Sequence, residues 1–140
     1  MTARVYSYQA AWAIIQQHPL LGVSKVRLAA AMAKEYKYRF PSIDPNRYVL
    51  PHNQFIYNLA SYGIIGLVIF LIGYYYLLWR SIGRRNVLLV LIYLIISISF
   101  VVEYTLESNI GVIVGLFFML IAAAPTSALE ASPVTYPVRG

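Results

Sequence analysis

The chain has 140 residues, 60% of them hydrophobic and only 11% charged, with 11 basic against 5 acidic side chains for a net charge of +6. A soluble domain carries about 25% charged residues, so the composition is that of a membrane protein. The lack of cysteine excludes disulfides and thiolate metal sites, and a basic excess in such a protein points to phospholipid or another anionic ligand rather than nucleic acid.

In chain order, Val5 to Gln17 predicts a helix, with Tyr8, Ala11, Trp12 and Ile15 on one face at i, i+3, i+4, i+7 spacing. His18-Pro19 stops it and Gly22 fits a turn. A second helix is expected over about Lys25 to Tyr38, carrying Lys25, Arg27, Lys34 and Lys37 among alanines. Pro41 to Pro51 is extended and punctuated by proline. These first 51 residues form a basic, partly helical extramembrane region. Residues 52–124 read as about three transmembrane helices, and 125–140, with Pro125, Pro133 and Pro137, as a flexible polar tail. The first apolar segment, Asn53 to Trp79, is uncharged and would be about 37 Å long from Phe55 as a straight helix. Tyr74, Tyr75, Tyr76 and Trp79 gather at its far end, where such rings favour the headgroup zone. Val87–Val102 and Ile110–Ala124, at 16 and 15 residues, are shorter than the roughly 20 of a full span. They borrow residues from the turn between them or form a re-entrant hairpin. Charge leaves the orientation open, because Arg80, Arg84 and Arg85 at one end of the first span match Lys37, Arg39 and Arg47 near the other.

The residue with the most chemistry is His52. Pro51 forces an extended approach, and Asn53 is a plausible N-cap for the helix beyond it. The positive end of that helix favours the neutral ring, as a proton acceptor requires. The plainer alternative is an interfacial histidine bonded to lipid headgroups. Ala60, Ser61, Gly63, Gly66 and Gly73 let neighbouring helices approach closely, so Gly63 and Gly66 read as helix-packing residues. Glu103 and Glu107 lie two crossings from His52 and so on its side of the membrane, where one can orient the ring or pair with a loop arginine. An interfacial acid in water is the alternative. His18 reads as structural, and two histidines with scattered acids give no metal-ligand cluster.

His52-Asn53-x9-Gly63-x-x-Gly66 resembles the signature of the O-antigen ligase and O-antigen polymerase family of bacterial envelope glycosyltransferases. Arg4, Trp12 and His18-Pro19-Leu20-Leu21-Gly22-Val23 resemble that family's upstream Arg…Trp…His-Pro-Leu-Leu-Gly run. The likeness covers roughly residues 3–124 and concerns the C-terminal portion of the family. Leu67 and Val68 depart from the small polar residues usual after the second glycine. The resemblance implies an all-α integral membrane protein with part of a glycosyltransferase C-type fold, in the bacterial inner membrane, with the His52 side periplasmic. It implies His52 as catalytic base, Arg4 and Arg47 as ligands of the donor diphosphate, and Asn53, Glu103 and Glu107 in support. The implied reaction needs no metal or cofactor. A glycan passes with inversion from undecaprenyl diphosphate to a sugar hydroxyl of another glycan or of lipid A core, with further transmembrane helices as partners. A non-catalytic membrane helical module, or a solute-transport member of the same superfamily, is the alternative.

Overall fold

A computed structural model describes residues 3–83 and 87–107, together with 111–113, 115–117 and 120. Arg84, Arg85, the 125–140 tail and much of the third apolar segment lie outside the described residues. Among the described residues four helices have defined bounds, α1 (Ala3–Gln17), α2 (Lys25–Arg39), α3 (Gln54–Gly83) and α4 (Val87–Val102). Single 3-10 turns occur at Pro45–Arg47 and Thr105–Glu107, and no strand occurs among the described residues. Gln54–Tyr76 is the one described stretch long and apolar enough to cross a membrane, with a mean hydropathy of 2.1; α4 is apolar but shorter.

The polar half has a true core. Ala10, Ala11, Ile14 and Ile15 of α1 pack with Leu28, Met32 and Tyr36 of α2 and with Tyr57 and Ala60 of α3. Of the expected apolar face of α1, Ala11 and Ile15 are buried, but Trp12 stands 57% exposed, and Ser7, Ala10, Ala13 and Ile14 complete the buried side. Alanines at the contact let the helix backbones approach closely, a gap too narrow for an indole. Glu35, buried on α2, ties the two helices together, accepting from Gln17 Nε2 at 3.0 Å and Arg39 Nε at 2.9 Å. Burial pushes its carboxyl up, but those two donors more than offset it and hold the group below the ordinary range.

The feature that organises the molecule is a break in α3 at Gly63, whose φ of 64° and ψ of −170° are not helical. In an unbroken helix the carbonyls of Ala60 and Ser61 would accept from Ile64 and Ile65. Here Ala60 accepts from Val23 N–H at 3.0 Å and Ser61 from Ser24 N–H at 2.8 Å. Ile64 and Ile65 N–H donate instead to Pro19 and Leu20 carbonyls, at 2.8 and 3.3 Å. The 19–24 loop thus supplies two acceptors and two donors in place of the two helical bonds that the break removes, as buried backbone requires. Gly22, at φ +64°, sits directly on the Ser61 backbone.

The break also turns the chain. Phe55 and Phe70 both lie against Phe100 of α4, with ring centroids 6.0 and 5.8 Å away. A straight helix would hold the two about 22 Å apart along its axis. Residues 54–62 are largely buried under α1 and α2, whereas from Ile64 onward α3 presents Ile64, Ile65, Val68, Ile69 and Ile72 outward. Segment 64–83 would be about 30 Å long, the thickness of a hydrocarbon core.

Ser24 stands at the start of α2 with φ 73° and ψ 143°, and its side chain makes no capping bond. A non-glycine residue there stores about 1–3 kcal/mol. Ser24→Gly is expected to raise stability by about 1 kcal/mol, read as a higher Tm of the detergent-solubilised chain; a lower Tm would mean that the hydroxyl contributes more than the strain costs.

Candidate functional site

Pro51 is fully buried and delivers His52 to the start of α3. Asn53 caps that helix, its Oδ1 accepting from Ile56 N–H at 3.0 Å, as expected of a short polar side chain at this position. Its amide nitrogen donates to the Val101 carbonyl at 3.0 Å, so one side chain fastens the start of α3 to the end of α4. Gln54 adds a second tie, accepting from Leu106 N–H at 2.9 Å while donating to Asn58. These contacts fix the 103–107 turn against the His52 end.

That turn carries the partner of the histidine. His52 Nδ1 lies 2.6 Å from Glu103 Oε1 and 3.0 Å from Oε2. A carboxylate accepts, so Nδ1 carries a hydrogen, and in the neutral ring Nε2 is then left with its lone pair. No described residue bonds Nε2. The His52 ring is 27% exposed and rests against Tyr104 with centroids 5.2 Å apart. Tyr104 in turn stacks on Tyr57 at 5.7 Å. From the other side, Tyr8 Oη donates to the His52 carbonyl at 2.9 Å, fixing the backbone that bears the ring.

The other candidates are placed differently. Glu107 does not reach His52 or an arginine; it forms an ion pair with Lys25 at the start of α2. Glu107's hydrogen bond and charge hold the Lys25 ammonium above its ordinary range. Arg4 is exposed, one helical turn before Tyr8 and two before Trp12 on α1. Arg47 is exposed on the 3-10 turn and lines a cavity of about 170 Å³ with Ala3, Tyr6, Tyr36 and Ile43. Neither arginine forms an ion pair with a described residue. Gly63 and Gly66 stand away from the histidine and shape the break: a Cβ on Gly63 would fall on the Leu20 carbonyl, and one on Gly66 on the Tyr62 Cβ. Among the described residues no three His, Asp or Glu side chains come together in a metal-binding group.

An open groove of about 680 Å³ is lined by Val5, Tyr8, Gln9, Trp12, Arg39, Phe40 and Ile56, and His52 is not part of its wall. It shares Tyr8 with the His52 carbonyl and opens past the exposed Trp12 ring. Tyr8, Gln54 and Tyr104 are the residues that sequence reasoning passed over. For Tyr8 a signal existed, since Arg4, Tyr8 and Trp12 recur at i, i+4, i+8. For Gln54 and Tyr104 there was none, because the partners that tie them to the site lie about fifty residues away.

The family model of O-antigen ligases, Wzy_C, matches residues 1–71. The chain belongs to the O-antigen ligase family. No curated protein and no solved structure matches it. The matched stretch runs through Arg4, Trp12, the 18–23 loop, His52-Asn53, Gly63 and Gly66, and it ends inside α3. Glu103 and Glu107 lie beyond it. Family membership makes this a membrane protein of O-antigen ligase type, a class of glycosyl-transferring enzymes that handle lipid-linked glycans. In this ligase-family chain the loop 19–24 and the Gly63–Gly66 pair, far apart in sequence, are the two halves of one backbone joint.

Proposed function

We propose that the chain carries the base-containing and donor-binding part of an inverting, metal-independent glycan transferase of the bacterial inner membrane. The donor is a glycan on undecaprenyl diphosphate, and the acceptor is a sugar hydroxyl of a second glycan or of lipid A core. The observation that carries this reading is the Glu103 carboxylate on His52 Nδ1, which orients the ring and leaves Nε2 to accept a proton. The acceptor hydroxyl gives its proton to Nε2 as its oxygen bonds the anomeric carbon. The bond from that carbon to the diphosphate oxygen breaks on the opposite face, and undecaprenyl diphosphate departs with the electron pair. Arg4 and Arg47 hold the diphosphate, whose charge develops as it leaves, through planar guanidinium forks. The groove along Tyr8 and Trp12 receives sugar, its indole face offering a flat apolar wall. Segment 64–83, α4 and the third apolar segment cross the bilayer, with His52 on the periplasmic side.

The test is Glu103→Gln in the full-length protein in membranes. The amide keeps the shape of the carboxylate but loses the charge that stabilises the imidazolium, so glycan transfer from undecaprenyl diphosphate should fall on the order of tenfold to a hundredfold. The loss belongs to kcat rather than to KM for the donor. Unchanged transfer, or a loss confined to KM, would remove the carboxylate from the chemistry.

A further inference from the structure

We infer that the basic cleft between the end of α1 and α2 is a binding site for the phosphate of an anionic bilayer phospholipid. The cleft is about 540 Å³ and is lined by His18, Arg27 and Lys34 around Gly22, Val23 and Ala31. Arg27 and Lys34 stand at i and i+7 on one face of α2, and the alanines between them leave room for a ligand. Both side chains are exposed, and neither is in an ion pair with a described residue. Glu35, the acid next to Lys34 in sequence, is buried and taken by Gln17 and Arg39.

The position of the cleft selects a lipid over a free anion. Its Gly22 lies on the Ser61 backbone, immediately above the Gly63 break. From the same loop Leu20 and Leu21 project with 61% and 72% of their surface exposed. Leu20 is bonded through its carbonyl to Ile65, where the outward apolar surface of α3 begins. The cationic cleft therefore includes the loop that carries the exposed Leu20 and Leu21 and is bonded to α3 where the exposed Ile64, Ile65 and Val68 begin. A soluble phosphate would use only the cations, whereas a phospholipid uses both the cations and these apolar side chains, with its phosphate between Arg27 and Lys34 and its acyl chains along the apolar residues. The site shares no lining residue with the Trp12 groove. The inference rests on the reading that segment 64–83 crosses the bilayer, and it does not depend on glycan transfer.

The experiment uses the full-length protein reconstituted in phosphatidylcholine nanodiscs containing a minority of phosphatidylglycerol, with retained lipid counted by native mass spectrometry after release. Phosphatidylglycerol should be retained over phosphatidylcholine. Arg27→Gln with Lys34→Gln should lower that retention on the order of thirtyfold, the effect of two cations near an anionic surface. Lys37→Gln, the same charge loss outside the cleft, should change it little, and Leu20→Ser with Leu21→Ser should also weaken it. Equal retention by the Arg27/Lys34 variant would overturn the assignment. So would displacement by inorganic diphosphate with no effect of the leucine changes, which would make the cleft a soluble-anion site. Preference of the same cations for a polyprenyl diphosphate over phosphatidylglycerol would give the cleft to the donor instead. The readout is lipid retention, so this inference and the proposed transfer reaction fail separately.

Discussion

Alanine in place of His52 is expected to lower glycan transfer by roughly 10²- to 10⁴-fold, the range for removing a positioned general base, while leaving the fold standing. The separation follows from what holds this part of the chain. Tyr8 bonds the carbonyl of residue 52, which alanine retains, and Asn53 still caps α3 and still reaches Val101. What is lost is the ring, with its contact to Tyr104 and its bond to Glu103. Glu103 is half exposed, so the freed carboxylate meets water and not a buried void. Melting of the variant should therefore stay close to that of the parent, and the loss should appear in initial rates at saturating donor. A second arm asks whether the carboxylate acts through the ring. If it does, adding Glu103→Gln to His52→Ala produces almost no further loss, because two groups acting as one unit are strongly non-additive. Multiplicative losses would give Glu103 an independent role, and near-parental transfer by His52→Ala would end the general-base reading.

The pairing of His52 with Glu103 marks how far the sequence could be read. The apolar runs alone led to the expectation of two crossings between them, which would bring both to one side of a membrane, and the structure does bring the two side chains together. Which of Glu103 and Glu107 would face the ring was not available from those runs, since the answer depends on Asn53 and Gln54 bonding the end of α4 and the 103–107 turn. Side-chain amides about fifty residues removed from their partners leave no periodicity to detect. The helices α1 and α2 were legible from spacing and from the His18-Pro19 stop, yet the buried face of α1 was legible only at Ala11 and Ile15. Periodicity weighed Trp12 and Tyr8 as apolar bulk, whereas close packing selected the alanines and turned both rings toward the groove. The largest gap was Gly63. A stretch free of charge from Phe55 to Trp79 reads as one span, and a glycine within it reads as a packing notch. Only the hydrogen bonds to the 19–24 loop reveal a joint there, because the donors and acceptors that replace the helical ones come from about forty residues upstream.

That joint gives the second large effect. Gly63→Ala is expected to cost at least about 3 kcal/mol and to undock the 19–24 loop. The backbone at φ 64° and ψ −170° belongs to a region open essentially to glycine alone, which by itself costs about 1–3 kcal/mol for any other residue. The added methyl would also fall on the Leu20 carbonyl, the group that accepts from Ile65. Relief requires moving that carbonyl, and moving it releases Ile64 and Ile65 N–H with the carbonyls of Ala60 and Ser61. Each buried backbone group left unpaired adds about 1–3 kcal/mol, more where lipid rather than water surrounds it. The helix can recover those bonds only by straightening through residue 63, which would pull Phe55 away from Phe100. Gly73 provides the comparison within the same helix. A Cβ there meets nothing within 4 Å, so Gly73→Ala should stabilise the helix by about 0.5–1 kcal/mol. Hydrogen exchange at Val23 and Ser24 reads the joint directly: both amides should lose protection in Gly63→Ala and keep it in Gly73→Ala. Equal protection in the two variants would mean that α3 tolerates a side chain at the break and that the loop is held by something other than this glycine.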